Sequence, residues 1–293
     1  MLKVVDPHIH LWDLRTGIYP HFEVPAIGGA NAAICRNYLL TEYLGEGGAD
    51  IAVVGAVHVE AFPTIPLREA EMIQAVADDG QLPVVLVGNA DLRAPDLEQR
   101  LDRLADFSSF RGIRQIINGP TAGVSTGLEH DHAFLDGLRH LGRRSMSFDL
   151  QLWPSQMAQA AQLAASAPDT LFVINHAGLW TDTTPAGWQQ WRTGIRLLAA
   201  QDNVRLKISG MGMFDPGWTI QGITPVVSEC LEAFGTQRTM FASNFPVDKL
   251  STQFTTIWRA YDTITKDLSG PERDSLFRLN AIETYRIPSP AML

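Results

Sequence analysis

His8 and His10 form the first pair in this chain with a spacing suited to chemistry. They belong to the apolar run Val4-Val5-Asp6-Pro7-His8-Ile9-His10. Side chains alternate between the faces of an extended strand, so the two imidazoles share one face. Two imidazoles side by side suit a divalent metal ion or an anion. The bland alternative is a pair of solvated histidines on an edge strand. Val4, Val5, Ile9 and Leu11 count against it, because they make the run apolar on both faces, as in a covered parallel strand. Histidines in such a place need partners, since burying a polar group is costly unless it is satisfied.

Positioning that pair requires a framework, and the rest of the chain supplies a repeating one. Apolar, β-branched runs predict eight strands at about 4–10, 51–60, 82–90, 110–117, 146–153, 170–176, 203–209 and 238–244. Most are Val-, Ile- and Leu-rich rather than alternating, the texture of parallel strands covered on both sides. Helical spacing fills the gaps. Leu67–Asp79 carries Leu67, Ala70, Ile73 and Val76 on one stripe, and Asp96–Phe107 carries Leu97, Leu101 and Leu104. Ser155–Ala167 follows Pro154, a residue suited to a helix start, and Ser251–Leu268 has Ser251 as its expected cap. Eight strands alternating with helices predict an α/β fold, a (β/α)8 barrel formed as one domain over residues 1–293. The rival, an open doubly wound sheet, lacks its Gly-x-Gly-x-x-Gly turn after the first strand. Residues 11–36 are rich in Gly, Pro and aromatics and predict a long active-site loop. The tail after Pro288 reads as a loose end.

Chemistry in such a barrel gathers where the strands end. The expected strand ends hold His8 and His10, then His58 and Glu60, then Arg114, Asp149 with Gln151, His176, Lys207 with Ser209, and Asn244 with Asp248. Four of the eight histidines fall at these ends. His21, His130, His132 and His140 lie elsewhere and read as surface or capping residues. His8, His10 and His176 compose either a metal or anion site or a set of structural hydrogen-bonding histidines. Arg114 is either a bidentate carboxylate clamp or half of an ion pair with Glu60 or Asp149. Lys207 carries the same two readings. Gln151 is a candidate hydrogen-bond donor to a substrate, whereas Trp12, Trp153 and Trp180 read mainly as packing.

Composition bounds the partners. Of the 293 residues, 45% are hydrophobic, enough for a large core and too many for a disordered chain. The net charge of -9, without a Lys/Arg run, argues against nucleic acid and against an anionic membrane. It leaves a small anionic substrate open, because a pocket can be basic in an acidic protein. Cys35 and Cys230 are far apart and read as reduced structural thiols. No run is long and apolar enough to span a bilayer, and the start reads as a first strand rather than a leader. The expectation is a cytoplasmic protein acting on a small molecule, with homo-oligomerisation left open.

Four motifs in order carry a family resemblance. They are Asp-Pro-His-Ile-His-Leu-Trp-Asp at 6–13, Asn-His-Ala-Gly at 175–178, Lys-Ile-Ser-Gly at 207–210 and Ser-Asn-Phe-Pro-Val-Asp at 243–248. Together they resemble the amidohydrolase superfamily, and within it the branch of TIM-barrel metal-dependent hydrolases that includes sugar lactonases and 2-pyrone-4,6-dicarboxylate lactonase. The resemblance runs along essentially the whole chain. It implies a distorted barrel in which His8, His10 and His176 face a metal. The family usually has an Asp at the end of the eighth strand, where this chain has Asn244, whose amide cannot accept a proton. Asp248 takes that role if the loop turns it inward. The bridging carboxylated Lys of binuclear members has no match, since the fourth strand offers Arg114. What remains is one divalent ion, zinc or manganese, or metal-free catalysis.

The activity this implies is hydrolysis of a lactone, carboxylated or sugar-derived. His8, His10 and His176 polarise the carbonyl, and Asp248, or otherwise Glu60, deprotonates the water. Arg114, His58, Gln151, Lys207 and Asn244 contact the substrate. The alternatives are a metal-dependent decarboxylase, an amide hydrolase, or a barrel that binds a small acid without turnover.

Overall fold

The structure is a computed structural model that describes residues 1–26 and 28–288, so the expectation for the tail lies outside the described residues. Eight strands run β1 (Leu2–Ile9), β2 (Ile51–Val59), β3 (Val84–Gly88), β4 (Phe110–Arg114), β5 (Ser147–Leu150), β6 (Leu171–Ile174), β7 (Val204–Ile208) and β8 (Thr239–Phe241). Each pairs in parallel with the next, in the order of the chain. The ring closes between its first and last members. A parallel bridge joins Ile9 to Phe245, His10 N–H donates to Phe245 O at 2.8 Å, and Asn244 N–H donates to His8 O at 2.9 Å. This is the (β/α)8 barrel that the sequence predicts.

Alternation along the strands divides the core in two. Val84 and Leu86 join the large cluster beneath the surrounding helices, whereas Val85 and Val87 join a smaller one. The smaller cluster also holds Val5, Val57, Val59, Val173 and Met240, packed with Tyr285 and Ile287 from the end of the chain. It is the filled interior expected of such a barrel. The chain end is held near the start of β4, where Arg111 Nε donates to Tyr285 O at 2.8 Å.

Close approach of two strands explains one glycine. A Cβ on Gly112 of β4 would stand 2.4 Å from Ser147 O of β5. Backbone cannot retreat as a flexible side chain can. Gly112→Ala is therefore expected to lower stability by about 1–3 kcal/mol, the usual range for overpacking. A urea midpoint that does not fall would contradict this.

The helices follow their patterns with adjusted ends. The first expected helix forms as Pro66–Asp78, with Pro66 in its first turn and Ala70 and Ile73 buried. The second forms as Leu97–Ala105. The third opens with a 3-10 turn, Pro154–Gln156, and continues as Met157–Ser166. The fourth begins later than expected, as Phe254–Ile264 after Gln253. Ser251 does not cap it, because its hydroxyl donates to Asp248 O at 3.0 Å.

Candidate active site

The strands stop short of most of the candidate side chains. His10, Glu60, His176 and Asn244 all follow the last residue of their strands. They therefore lie on turns, and two of those turns are sharp: His176 and Asn244 have φ of 53° and 59°. Left-handed backbone is uncommon in non-glycine residues and collects at functional positions.

Pro7 shapes the first strand. It has no N–H for the ladder, and the register with β2 slips between Asp6 and Ile9. Asp6 secures the irregular stretch. Its carboxylate accepts from Ser243 N–H at 3.0 Å, from His8 N–H at 3.3 Å and from Tyr43 OH at 2.9 Å. Burial pushes its pKa up to about 6, against the pull of these hydrogen bonds. Asp6 thus ties the histidine strand to the turn that carries Asn244.

Three histidines come together at the mouth. The ring of His8 is 5.1 Å from that of His10 and 4.5 Å from that of His176, centroid to centroid. His10 Nδ1 lies 2.7 Å from Val59 O, which requires Nδ1–H and leaves Nε2 as a free lone pair. His176 Nδ1 bonds Ser209 Oγ at 2.9 Å. His8 is fully buried, and neither ring nitrogen has a partner. Burial holds all three pKa values well below the usual histidine value. Neighbouring charge works in the same direction, with Arg114 beside His10 and His176, and Lys207 beside His8 and His176. At neutral pH the cluster is neutral imidazole, the form that ligates metal or accepts a proton.

His10 and His176 open onto a cavity of about 230 Å³, together with Arg114, Gln151 and Asn244. The long loop contributes His21, Phe22, Asn31 and Ile34 to the same wall. His21 is exposed, as the sequence reading has it, and its ring lies 5.2 Å from Phe22 and 5.4 Å from Phe62 on this wall. Trp12 anchors the loop by stacking on Phe22 at 4.0 Å and donating to Arg36 O at 2.6 Å. Phe62, Met213, Val247 and Leu250 also line the cavity and were not anticipated. They come from three βα loops, and nothing in their local sequence announces a shared wall.

Arg114 combines both of its readings. Its Nε donates to Glu60 Oε1 at 2.7 Å and its Nη2 to Glu60 O at 2.6 Å, while the side chain still lines the cavity. Glu60 accepts Phe62 N–H on its other oxygen at 2.8 Å, so both carboxylate oxygens are already hydrogen-bonded. The remaining candidates lie below the cavity wall. His58 Nδ1 accepts from Leu11 N–H at 3.0 Å, and its Nε2 stands 3.3 Å from buried Glu69. Lys207 donates to Asp149 at 2.6 Å and is completely buried, the ion-pair reading of the two. Asp248 is buried beside the Asn244 side chain and the Gly210 backbone, with Oδ1 unpartnered and its pKa raised by burial to about 8. Among the described residues no Asp or Glu lines the cavity.

Among the described residues no three His, Cys, Asp or Glu side chains stand close enough to hold a metal ion as they are. The donor chemistry nevertheless fits one. His8 has two orphaned buried nitrogens, His10 has its outer nitrogen on a carbonyl, the usual support of a metal-bound imidazole, and both are neutral.

A closed eight-stranded barrel with neutral imidazoles and a guanidinium at the carboxyl ends of its strands places these groups where barrel enzymes carry their chemistry. Comparison with known proteins narrows this. The amidohydrolase family pattern matches residues 5–287, and the chain belongs to the amidohydrolase family. An uncharacterised protein of Sinorhizobium fredii is 40% identical over 98% of this chain and 99% of its own length. An L-fucono-1,5-lactonase of Burkholderia multivorans is 26% identical over 98% of this chain and 97% of its own. The solved structure of an amidohydrolase from the same organism, with bound zinc, superposes with a TM-score of 0.84 at 26% identity, covering 98% of this chain and all of that one. No helix of the described residues is long and apolar enough to cross a membrane.

Proposed function

We propose that this enzyme hydrolyses a lactone at the cavity bounded by His10, His176 and Arg114. The observation that carries the reading is the cluster of neutral imidazoles beside a guanidinium, and its likeness to relatives named as lactonases supports it. Arg114 has Nη1 free of hydrogen bonds within the described residues and orients the lactone carbonyl or an attached carboxylate. The Asn244 amide and Gln151 donate to oxygen as negative charge develops on it. His176, held through Nδ1 on Ser209, presents Nε2 to accept the proton of the attacking water. In this role it replaces Asp248 and Glu60, the carboxylates expected from sequence, because neither lines the cavity.

The residues that would hold a divalent ion are His8, His10 and His176. When bound, such an ion supplies Lewis-acid polarisation of the carbonyl and a lowered pKa for the water. Chelation then decides whether His176 serves as ligand or as base.

The test is hydrolysis of a panel of sugar-derived and aliphatic lactones, before and after chelation. Turnover is expected, with His10→Ala and His176→Ala each lowering kcat/KM by about 10²–10⁴. Carbon dioxide release from aromatic acids, with every lactone left intact, would replace this reading with the decarboxylase one.

A further inference from the structure

A second cavity adjoins the first. Its volume is about 100 Å³, and it lies between the loops that follow β6 and β7. His176 belongs to both walls. The short helix Met211–Phe214 divides them, with Met213 facing the first cavity and Met211 the second. The lining of the second is mainly apolar, with Trp180, Phe214 and Ile223 among its members, and its polar side chains besides His176 are Thr181, Thr183 and Asp215. An apolar hole against a polar reaction centre is poorly matched to a hydroxyl-rich ring, whose every buried hydroxyl would need a partner. It is well matched to hydrocarbon. An engineered apolar cavity of about 150 Å³ holds benzene, so this one suits a short alkyl chain.

We infer that the second cavity is a subsite for an apolar arm of the substrate, so that the preferred lactone carries an alkyl substituent and is not a bare sugar lactone. The inference rests on the lactonase reading and extends it to substrate class. The arm would pass His176 while the carbonyl stays with His10 and Arg114. The rim of the first cavity agrees in character, since Phe62, Met213 and Leu250 line it and remain exposed.

The test compares δ-valerolactone with δ-lactones that carry a propyl or a pentyl group on the ring carbon bonded to oxygen. Burial of each methylene is expected to raise kcat/KM about threefold to fourfold, until the cavity is full. Ile223→Trp fills the space and is expected to lower the pentyl-to-unsubstituted ratio about tenfold or more. Phe214→Ala enlarges the space and is expected to raise that ratio. These opposite movements separate the subsite from a general loss of folding. Equal kcat/KM across the series, or a ratio that neither variant moves, would overturn the subsite. If no lactone is hydrolysed, the lactonase reading fails, and binding of the matching δ-lactams by calorimetry judges the subsite alone. Affinity rising with chain length would then support it, and flat affinity would overturn it.

Discussion

Asp149→Ala is expected to destabilise the barrel by about 3–5 kcal/mol, the loss that follows when one partner of a buried ion pair is removed. The carboxylate stands at the centre of a fully buried network. Lys207 Nζ donates to Oδ2 at 2.6 Å and Asn175 Nδ2 to the same oxygen at 3.0 Å. Tyr285 OH donates to Oδ1 at 2.9 Å. Removing Asp149 leaves an ammonium with no counter-ion in the interior, where burial already pulls its pKa down. It also strands two neutral donors and removes one buried polar anchor of the helix Asn280–Tyr285, whose Asn280 still donates to Thr239 O at 2.6 Å. Lys207→Met is expected to cost less, because Asp149 keeps Asn175 and Tyr285. The double variant Asp149→Leu with Lys207→Met is expected to recover much of the loss, since an apolar pair of similar volume often matches a buried ion pair. Urea unfolding of Asp149→Leu, Lys207→Met and the double variant forms the cycle. Additive losses would show that the pair is not coupled.

The framework and the centre of the site were legible because each depends on a local pattern. Parallel strands covered on both faces must be apolar, so runs such as Val84–Val87 announce themselves, and a polar residue at the end of such a run stands out. His8, His10, Arg114 and His176 were found in this way. The distinction between lining a cavity and lying beneath it could not be read from position alone. His58 and Glu60 share a strand end, yet His58 turns to Leu11 and Glu69, and Glu60 to Arg114. Glu69 escaped notice because its burial depends on the long loop: it accepts from Ala61 N–H at 2.9 Å and lies 3.3 Å from Tyr19 OH. His21 and Phe62 are neighbours only once two loops have docked. Those contacts are tertiary, and no periodicity in either loop encodes them.

Asp248 presents the sharpest contrast between motif and surroundings, and its pH dependence makes the contrast measurable. In the unfolded chain its carboxyl titrates near 3.8, and in the folded protein near 8. Between those values the native state keeps a proton that the unfolded state has released, so this group lowers stability as pH rises. The slope is at most about 1.4 kcal/mol per pH unit. Below pH about 4 both states are protonated and the group contributes nothing, and above pH about 8 the full cost of a buried carboxylate is present. Asp248→Asn keeps the shape and removes the titration. The variant is expected to match the parent near pH 4 and to exceed it by up to about 4 kcal/mol near pH 7.5, measured as urea midpoints across that range. Identical pH slopes would mean that the carboxyl ionises freely in the folded protein. Activity supplies the second readout. Asp248 does not line the cavity, so kcat/KM of the variant is expected to stay within about tenfold of the parent, whereas loss of a general base costs about 10²–10⁴. A fall of that size would return the proton-accepting role from His176 to Asp248. It would also require the helix Met211–Phe214 to move, because Asp248 Oδ1 lies only 3.2 Å from where a Cβ on Gly212 would stand.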